Sequence, residues 1–332
     1  MEHFIKTVTI TKLRNMENIE IGLNENERQH LLLTGKNGSG KTTLLLAIKK
    51  YLTAINDGAL ARMIQQYSDG LELDFNDVSD LDEQYQKGNF ITAYFPADRS
   101  IRIEKPRGVE DVKLDTFYRI TDEPGTVLLK YMVHLKTQQA YARNEGDVEN
   151  ADRIQRWFER FEEALRVLLD DESILLEYSY KEYDFKIAQA GREAFAFDEL
   201  SDGYSSVIRI VSDLILRMDH NWLIDNELSH YEVEGIVLID ELETHLHIEL
   251  QKKILPFLTS FFPRIQFIVS THSPYILNSI SNAKVYDLEK KIELEDLSKY
   301  SAEGYTKSES CCYFIREGKT KEQWHIQYTG SK

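Results

Sequence analysis

A short apolar run, His30 to Thr34, stops abruptly at Gly35, and after a glycine-rich stretch the chain resumes as Thr42 to Leu52 (TTLLLAIKKYL), which reads as a helix. The order is strand, glycine loop, helix. The loop, Gly35-Lys36-Asn37-Gly38-Ser39-Gly40-Lys41-Thr42 with Thr43 behind it, fits G-x-x-x-x-G-K-[ST] at every fixed position. Glycines let consecutive backbone N–H groups curl round phosphates without Cβ clashes. The following helix presents its positive end to the same place, Lys41 would neutralise phosphate charge, and the Thr42 hydroxyl suits Mg²⁺. The motif predicts a site for a phosphate-bearing nucleotide, ATP with Mg²⁺.

The rest of the chain sets this unit in a larger pattern. Phe4, Val8 and Ile10 alternate as in a strand, as do Ile19, Ile21 and Leu23 after a turn at Asn15 to Asn18. Residues 57–89 are polar and mixed, and Phe90 to Phe95 (FITAYF) reads as a buried strand ended by Pro96. Thr126 to Leu169 reads as helical with a charged break at Arg143 to Asp152. In its second half Ile154, Trp157, Phe158, Phe161, Leu165 and Leu168 recur on one face. Short strands are expected at 174–180, 183–188 and 194–197, and a helix from about Ser205 to Met218. Beyond it come strands at Gly235 to Asp240, Ile265 to Ser270 and Lys284 to Leu288, with a helix at Ile248 to Phe261. Continuous Val/Ile/Leu strands separated by helices predict an α/β fold with a mainly parallel sheet covered on both faces, plus the N-terminal antiparallel strands. The expected division is a P-loop lobe at 1–99, a helical insertion with short strands at 100–197, a second lobe at 198–300 and a tail at 301–332.

Composition narrows the setting. Among 332 residues the net charge of -16 opposes non-specific spreading along nucleic acid or an anionic membrane. The only cysteines, Cys311 and Cys312, are neighbours and cannot staple distant parts of a fold. With no apolar run of membrane-spanning length and no signal-peptide core, the expectation is a cytoplasmic protein without a membrane partner.

Three further motifs carry chemistry. Gly235-Ile-Val-Leu-Ile-Asp240-Glu241 is an apolar strand ending in paired carboxylates, at the edge where α/β sheets bind ligands. Asp240 would hold Mg²⁺ or its water, and Glu241 would polarise an attacking water. Leu200-Ser201-Asp202-Gly203-Tyr204 precedes an amphipathic helix, so Ser201 and Gly203 would offer a hydroxyl and backbone N–H groups to an anion. Taken alone, those residues equally describe a helix cap with a turn. His272, in Ser270-Thr-His-Ser-Pro274, follows a strand end and would sense a γ-phosphate; a satisfied loop histidine is the plain alternative.

In this order the four motifs resemble the ABC-type ATPase superfamily. Within it the chain is similar to the SMC-like and overcoming-lysogenization-defect-like branch of AAA-family ATPases. Asp240-Glu-Leu-Glu-Thr-His-Leu-His247 is similar to that branch's DExExxLH stretch, and Tyr94-Phe-Pro-Ala-Asp-Arg99 to its strand end. The resemblance implies an ABC-type core that dimerises head to tail around ATP. Ser201 and Gly203 of one subunit would complete the site formed by Lys41, Asp240 and Glu241 of another. It implies adenine contact near Arg14 and Asn15, and a role as a nucleotide-driven switch in DNA processing or anti-phage defence. A separate effector, a nuclease or toxin, would respond to it, and DNA is a candidate further partner. The family's glutamine after the second core strand is missing; Tyr94 to Arg99 occupy that region.

Smaller signals compete with this reading. His245, His247 and His272 could be read as a metal site, against which their spacing and the lack of cysteines speak. Arg99, Arg102, Lys105 and Arg107 form a basic island suited to DNA, nucleotide or an acidic partner, or simply to a solvated loop. Rival functions are an ATP-binding scaffold or sensor with little turnover, and the ATPase subunit of a transporter.

Overall fold

Strands β3 (His30–Thr34), β9 (Glu234–Ile239) and β10 (Ile265–Ser270) expose no residue at either face. Strands of such composition must be covered on both sides, and in the computed structural model, which describes residues 2–56, 70–99, 103–224 and 231–294, they are. They lie in a six-stranded sheet of order β12-β11-β3-β10-β9-β5, with β5 (Phe90–Phe95), β11 (Ala283–Asp287) and β12 (Ile292–Leu294). Every neighbouring pair is parallel except the edge strand β12. Alternation along the strands splits the apolar side chains between two cores. Leu31, Leu33, Ile236, Leu238 and Ile268 face α1 (Lys41–Asn56) through Leu44, Leu45 and Ile48. Leu32, Val237, Ile239, Phe267 and Val269 face the second core.

A three-stranded antiparallel sheet, β2-β1-β4, closes the α1 side, with β1 (Ile5–Leu13), β2 (Met16–Gly22) and β4 (Leu71–Phe75). The stretch read as polar and mixed thus contains β4 and also α2 (Leu81–Gln86). In β4 the acidic Glu72 and Asp74 point outward while Leu71, Leu73 and Phe75 are buried against the first core. Residues 57–69 of that stretch lie outside the described residues, as do Arg102, Cys311, Cys312 and the tail. Among the described residues no helix is long and apolar enough to cross a membrane.

The second core is shared with α3 (Leu128–Glu145), α4 (Val148–Leu169), α5 (Asp202–Ile224), α6 (Ile248–Phe261) and the short α7 (Pro274–Leu277). Gly146 (φ 79°) ends α3 in the left-handed conformation, and the Asp147 side chain accepts the Asn150 N–H to start α4. The charged break therefore falls where the sequence placed it. The apolar stripe Ile154, Trp157, Phe158, Phe161, Leu165 and Leu168 is buried in full, each large side chain contributing roughly 1.5–3 kcal/mol. A small antiparallel sheet, β6-β7-β8, follows with β6 (Leu175–Ser179), β7 (Asp184–Ala188) and β8 (Phe195–Ala196). Phe185 of β7 stacks on Phe158.

Two buried polar groups fasten α5 in place. Arg217 donates to Asp213, to the Thr92 carbonyl of β5 and to the carbonyls of Arg119 and Asp122. Its own charge is thus matched by the equally buried Asp213. Asp219, fully buried, accepts the Trp157 indole N–H at 2.6 Å and so ties α5 to α4.

Burial pushes the Asp219 carboxyl up to about 7, with the Trp157 hydrogen bond opposing the shift. Between about pH 4 and 7 the folded state holds a proton that the unfolded chain has released, so this group lowers stability as pH rises through that window. Asp219→Asn keeps the acceptor and removes the titration. Its unfolding free energy is expected to change less between pH 5 and pH 8 than that of the parent, by about 3 kcal/mol. Equal pH slopes for the two proteins would show that Asp219 is not the titrating group.

Candidate functional site

The parallel register brings the ends of β3, β9, β5 and β10 to one edge of the sheet, and each end carries part of the site. From β3 the chain enters the P-loop, where Gly35, Gly38 and Gly40 have φ of 124°, 83° and 105°, values closed to side chains with a Cβ. The loop hands over to α1, whose first turn holds Lys41, Thr42 and Thr43. Lys41 is buried and its ammonium donates to the carbonyls of Gly35 at 2.8 Å and Lys36 at 3.2 Å. Burial lowers its affinity for a proton, against the charges of Glu241, Glu243, Asp240 and Asp287. Lys36 and Asn37 are exposed, Lys36 pairing with Glu289 at 2.7 Å, and Thr42 is exposed at the helix start. Ser39 is buried, and its hydroxyl has no hydrogen-bond partner. A cradle of left-handed glycines, an orphaned hydroxyl and an amine folded inside fits a polyphosphate.

Across the edge, β9 delivers Asp240 and Glu241. Asp240 is buried, and its backbone N–H donates to Phe95 at the end of β5. Ser270, the last residue of β10, then stitches the pair: its hydroxyl donates to Asp240 Oδ1 and accepts the Glu241 N–H at 2.8 Å. Glu241 stands in the left-handed region at φ 46°. For a non-glycine residue that conformation costs about 1–3 kcal/mol and persists only where neighbours enforce it. The turn leaves the Glu241 carboxylate half-buried and touched by Thr244 at 3.4 Å.

Glu243 completes the edge. Its carboxylate accepts the Thr271 hydroxyl at 2.6 Å and the His272 backbone N–H at 2.5 Å, which fixes the loop carrying His272 beside the Asp240–Glu241 turn. Ser273 caps α7 and also bonds Gln251 of α6. The structure thus places Lys41, Asp240, Glu241 and the His272 loop at one sheet edge. Ser201 and Gly203 sit elsewhere, against the loop beyond Glu241. Ser201 is exposed at the start of α5, and its carbonyl accepts the Ser205 N–H. A Cβ at Gly203 would lie 2.5 Å from the His245 carbonyl oxygen, so close packing alone already demands glycine there. Among the described residues no hydrogen bond joins Ser201 or Gly203 to the P-loop.

Several sequence expectations change. His245 and His247 are exposed and do not converge with His272. The one metal-like triad among the described residues is His3, Asp77 and Asp80, and both His3 ring nitrogens are already engaged, by Glu234 and Asp80. Of the basic island, Arg99 is 3% exposed, Lys105 is exposed and pairs with Asp198, Arg107 is exposed, and Arg102 lies outside the described residues. Arg14 lies at the tip of the β1–β2 hairpin with φ 52°, and the adjacent Met16 side chain packs over Gly40, so that tip borders the P-loop. Where the family has a glutamine, Tyr94 lies beside Asp240, under the Lys49 ammonium at 4.5 Å, its phenol pushed up to about 12 by burial and the Asp240 charge. Ser270 and Glu243 lie within quoted motifs but were not singled out, and Arg99 was singled out only as part of the basic island. Their position at strand ends flanking Asp240 was the available signal.

The chain is 24% identical over 309 residues to the Septu protein PtuA of Bacillus mycoides (strain KBAB4), covering 86% of this chain and 40% of that protein. It is 32% identical over 143 residues to the Retron Vc95 "probable ATPase" of Vibrio cholerae serotype O1 biovar El Tor, covering 43% of this chain and 27% of that one. The chain therefore spans less than half the length of these curated relatives. Among solved structures, an SMC head bound to the C-terminal winged-helix domain of ScpA aligns with 89% of this chain and 96% of its own, at 14% identity and a TM-score of 0.46. The family described as "AAA domain, putative AbiEii toxin, Type IV TA system" matches residues 63–278. With more than half of its length inside that match, the chain belongs to this family of AAA-domain ATPases.

Proposed function

We propose that this chain hydrolyses ATP and works as a nucleotide-driven switch in anti-phage defence, closing as a homodimer or higher homo-oligomer around ATP and controlling a separate effector, a nuclease or toxin. The observation that carries the reading is the convergence of Lys41, Asp240 and Glu241 at one sheet edge, with Glu241 held in a left-handed turn. In this reading residues 35–43 cradle the phosphates, and Thr42 and Asp240 hold Mg²⁺, which when bound offsets phosphate charge. Glu241 takes the proton of the attacking water, and His272 senses the γ-phosphate from its Glu243-fixed loop. The ATPase lobes are 1–99 and 198–300, with 100–197 inserted between them. The likeness to Septu PtuA and the retron ATPase supports the defence setting. A cytoplasmic location and a contact with DNA belong to the same proposal.

The position of Ser201 supports composite sites. An exposed hydroxyl at the positive end of a helix, unlinked to its own P-loop, supports contact with the nucleotide of a second copy. Gly203, itself buried, gives the helix start its close seat on His245.

Two outcomes are expected. Glu241→Gln keeps ATP affinity, slows hydrolysis by about 10²-fold or more and accumulates an ATP-bound dimer on light scattering; parental turnover in this variant would remove Glu241 from the role. Ser201→Arg changes an exposed side chain, so it should bind a fluorescent ATP analogue as the parent does while neither dimerising nor hydrolysing. Parental dimerisation and turnover by that protein would exclude a shared site.

A further inference from the structure

Arg99 follows the end of β5 and is the most heavily engaged buried cation of the site. Its Nη1 donates to the carbonyls of Asp240 at 2.5 Å and Pro96 at 3.0 Å, and its Nη2 to those of Glu241 at 3.0 Å and Leu242 at 3.4 Å. The remaining donor, Nε, reaches the Ser206 hydroxyl at 2.8 Å, and Ser206 is a buried residue of α5. One guanidinium therefore gathers the carbonyls of Asp240, Glu241 and Leu242 and joins them to the helix that begins beside Ser201.

We propose that Arg99 is the positioning residue that holds the Glu241 turn in its left-handed form and couples that turn to the start of α5. The physical need is plain. A turn at φ 46° directs successive carbonyls toward one point, where they repel one another and are cut off from water. A planar fork of N–H donors satisfies them together, which the single ammonium of lysine cannot do. Burial draws the Arg99 guanidinium down to about 10, with Glu243, Asp240 and Glu241 opposing, so it remains charged at neutral pH. On the far side of the same turn, the His245 carbonyl rests on Gly203, giving α5 a second contact with it. The catalytic carboxylate and the helix start that faces a second copy are thereby fixed to each other within one chain.

The proposal rests on the assignment of Glu241 above, and a double-mutant cycle separates the two. Arg99→Lys keeps the charge and loses the fork. It is expected to bind ATP within about two-fold of the parent, to keep KM, and to lose kcat by about 10- to 100-fold, as displaced catalytic groups do. Adding Arg99→Lys to Glu241→Gln is expected to slow single-turnover hydrolysis no further than Glu241→Gln alone, because both act through one carboxylate. Parental kcat in Arg99→Lys, or a full multiplicative loss in the double variant, would overturn the role of Arg99 while leaving Glu241 in place. If Glu241→Gln alone turns over at the parental rate, the functional reading fails instead. Ser206→Ala disturbs the fold least, removing the α5 acceptor and sparing the carbonyl contacts. It should lower kcat about three-fold with unchanged ATP affinity, and a parental kcat there would overturn the coupling to α5.

Discussion

The site depends first on register. Four parallel strands, β3, β10, β9 and β5, are paired so that Thr34, Ser270, Ile239 and Phe95 end close together. A one-residue slip of any strand would exchange its buried faces, and because both faces are buried, such a slip would move a whole apolar set into the wrong core. Packing thus fixes where the polar loops begin. Once those ends are fixed, short side chains suffice to build the site: a serine hydroxyl spans Asp240 and Glu241, and one glutamate spans Thr271 and His272.

The energetic consequence is a site whose polar groups are committed to one another. Asp240 is held by Ser270, the His272 loop by Glu243, and the Glu241 backbone by Ser270 and Arg99. Each bond alone is worth roughly 0.5–1.5 kcal/mol, more where a charge takes part. Together they offset the cost of a left-handed glutamate and of a buried guanidinium. Preorganisation of this kind leaves little to rearrange when a substrate arrives, which is how fixed dipoles act most effectively on developing charge.

Much of this was legible in sequence, and the exceptions share a cause. The P-loop, the apolar strand ending at Asp240 and the amphipathic stripe around Trp157 are local patterns, and local patterns survive into the fold. Strands β9 and β10 likewise follow from runs of Val, Ile and Leu. Arg99 looked like part of a basic surface because its neighbours in sequence are basic, whereas three of its partners lie 141 to 143 residues further on and a fourth 107. Asp219 gave no signal at all, since its meaning arises only where α5 crosses Trp157. β4 was hidden because its exposed face carries Glu72 and Asp74, and polar composition outweighed a clean alternation. Gly203 shows a different ambiguity: one residue answers both a packing constraint and an anion-site pattern, and sequence cannot divide the two.

Helix α5 gives these parts a common axis. It starts at Asp202, against the loop that follows Glu241, and by Asp219 it has reached Trp157 of α4. At 1.5 Å per residue that stretch is about 25 Å long, and Arg217 and Asp219 pin its distal part to β5 and α4. A tilt of about five degrees at the first turn would carry the far end through about 2 Å, more than the slack of any hydrogen bond there. The helix is therefore a spar fastened at both ends: the turn after Glu241 and the apolar face around Trp157 keep one fixed spacing, and neither can shift without breaking a buried polar contact of the other.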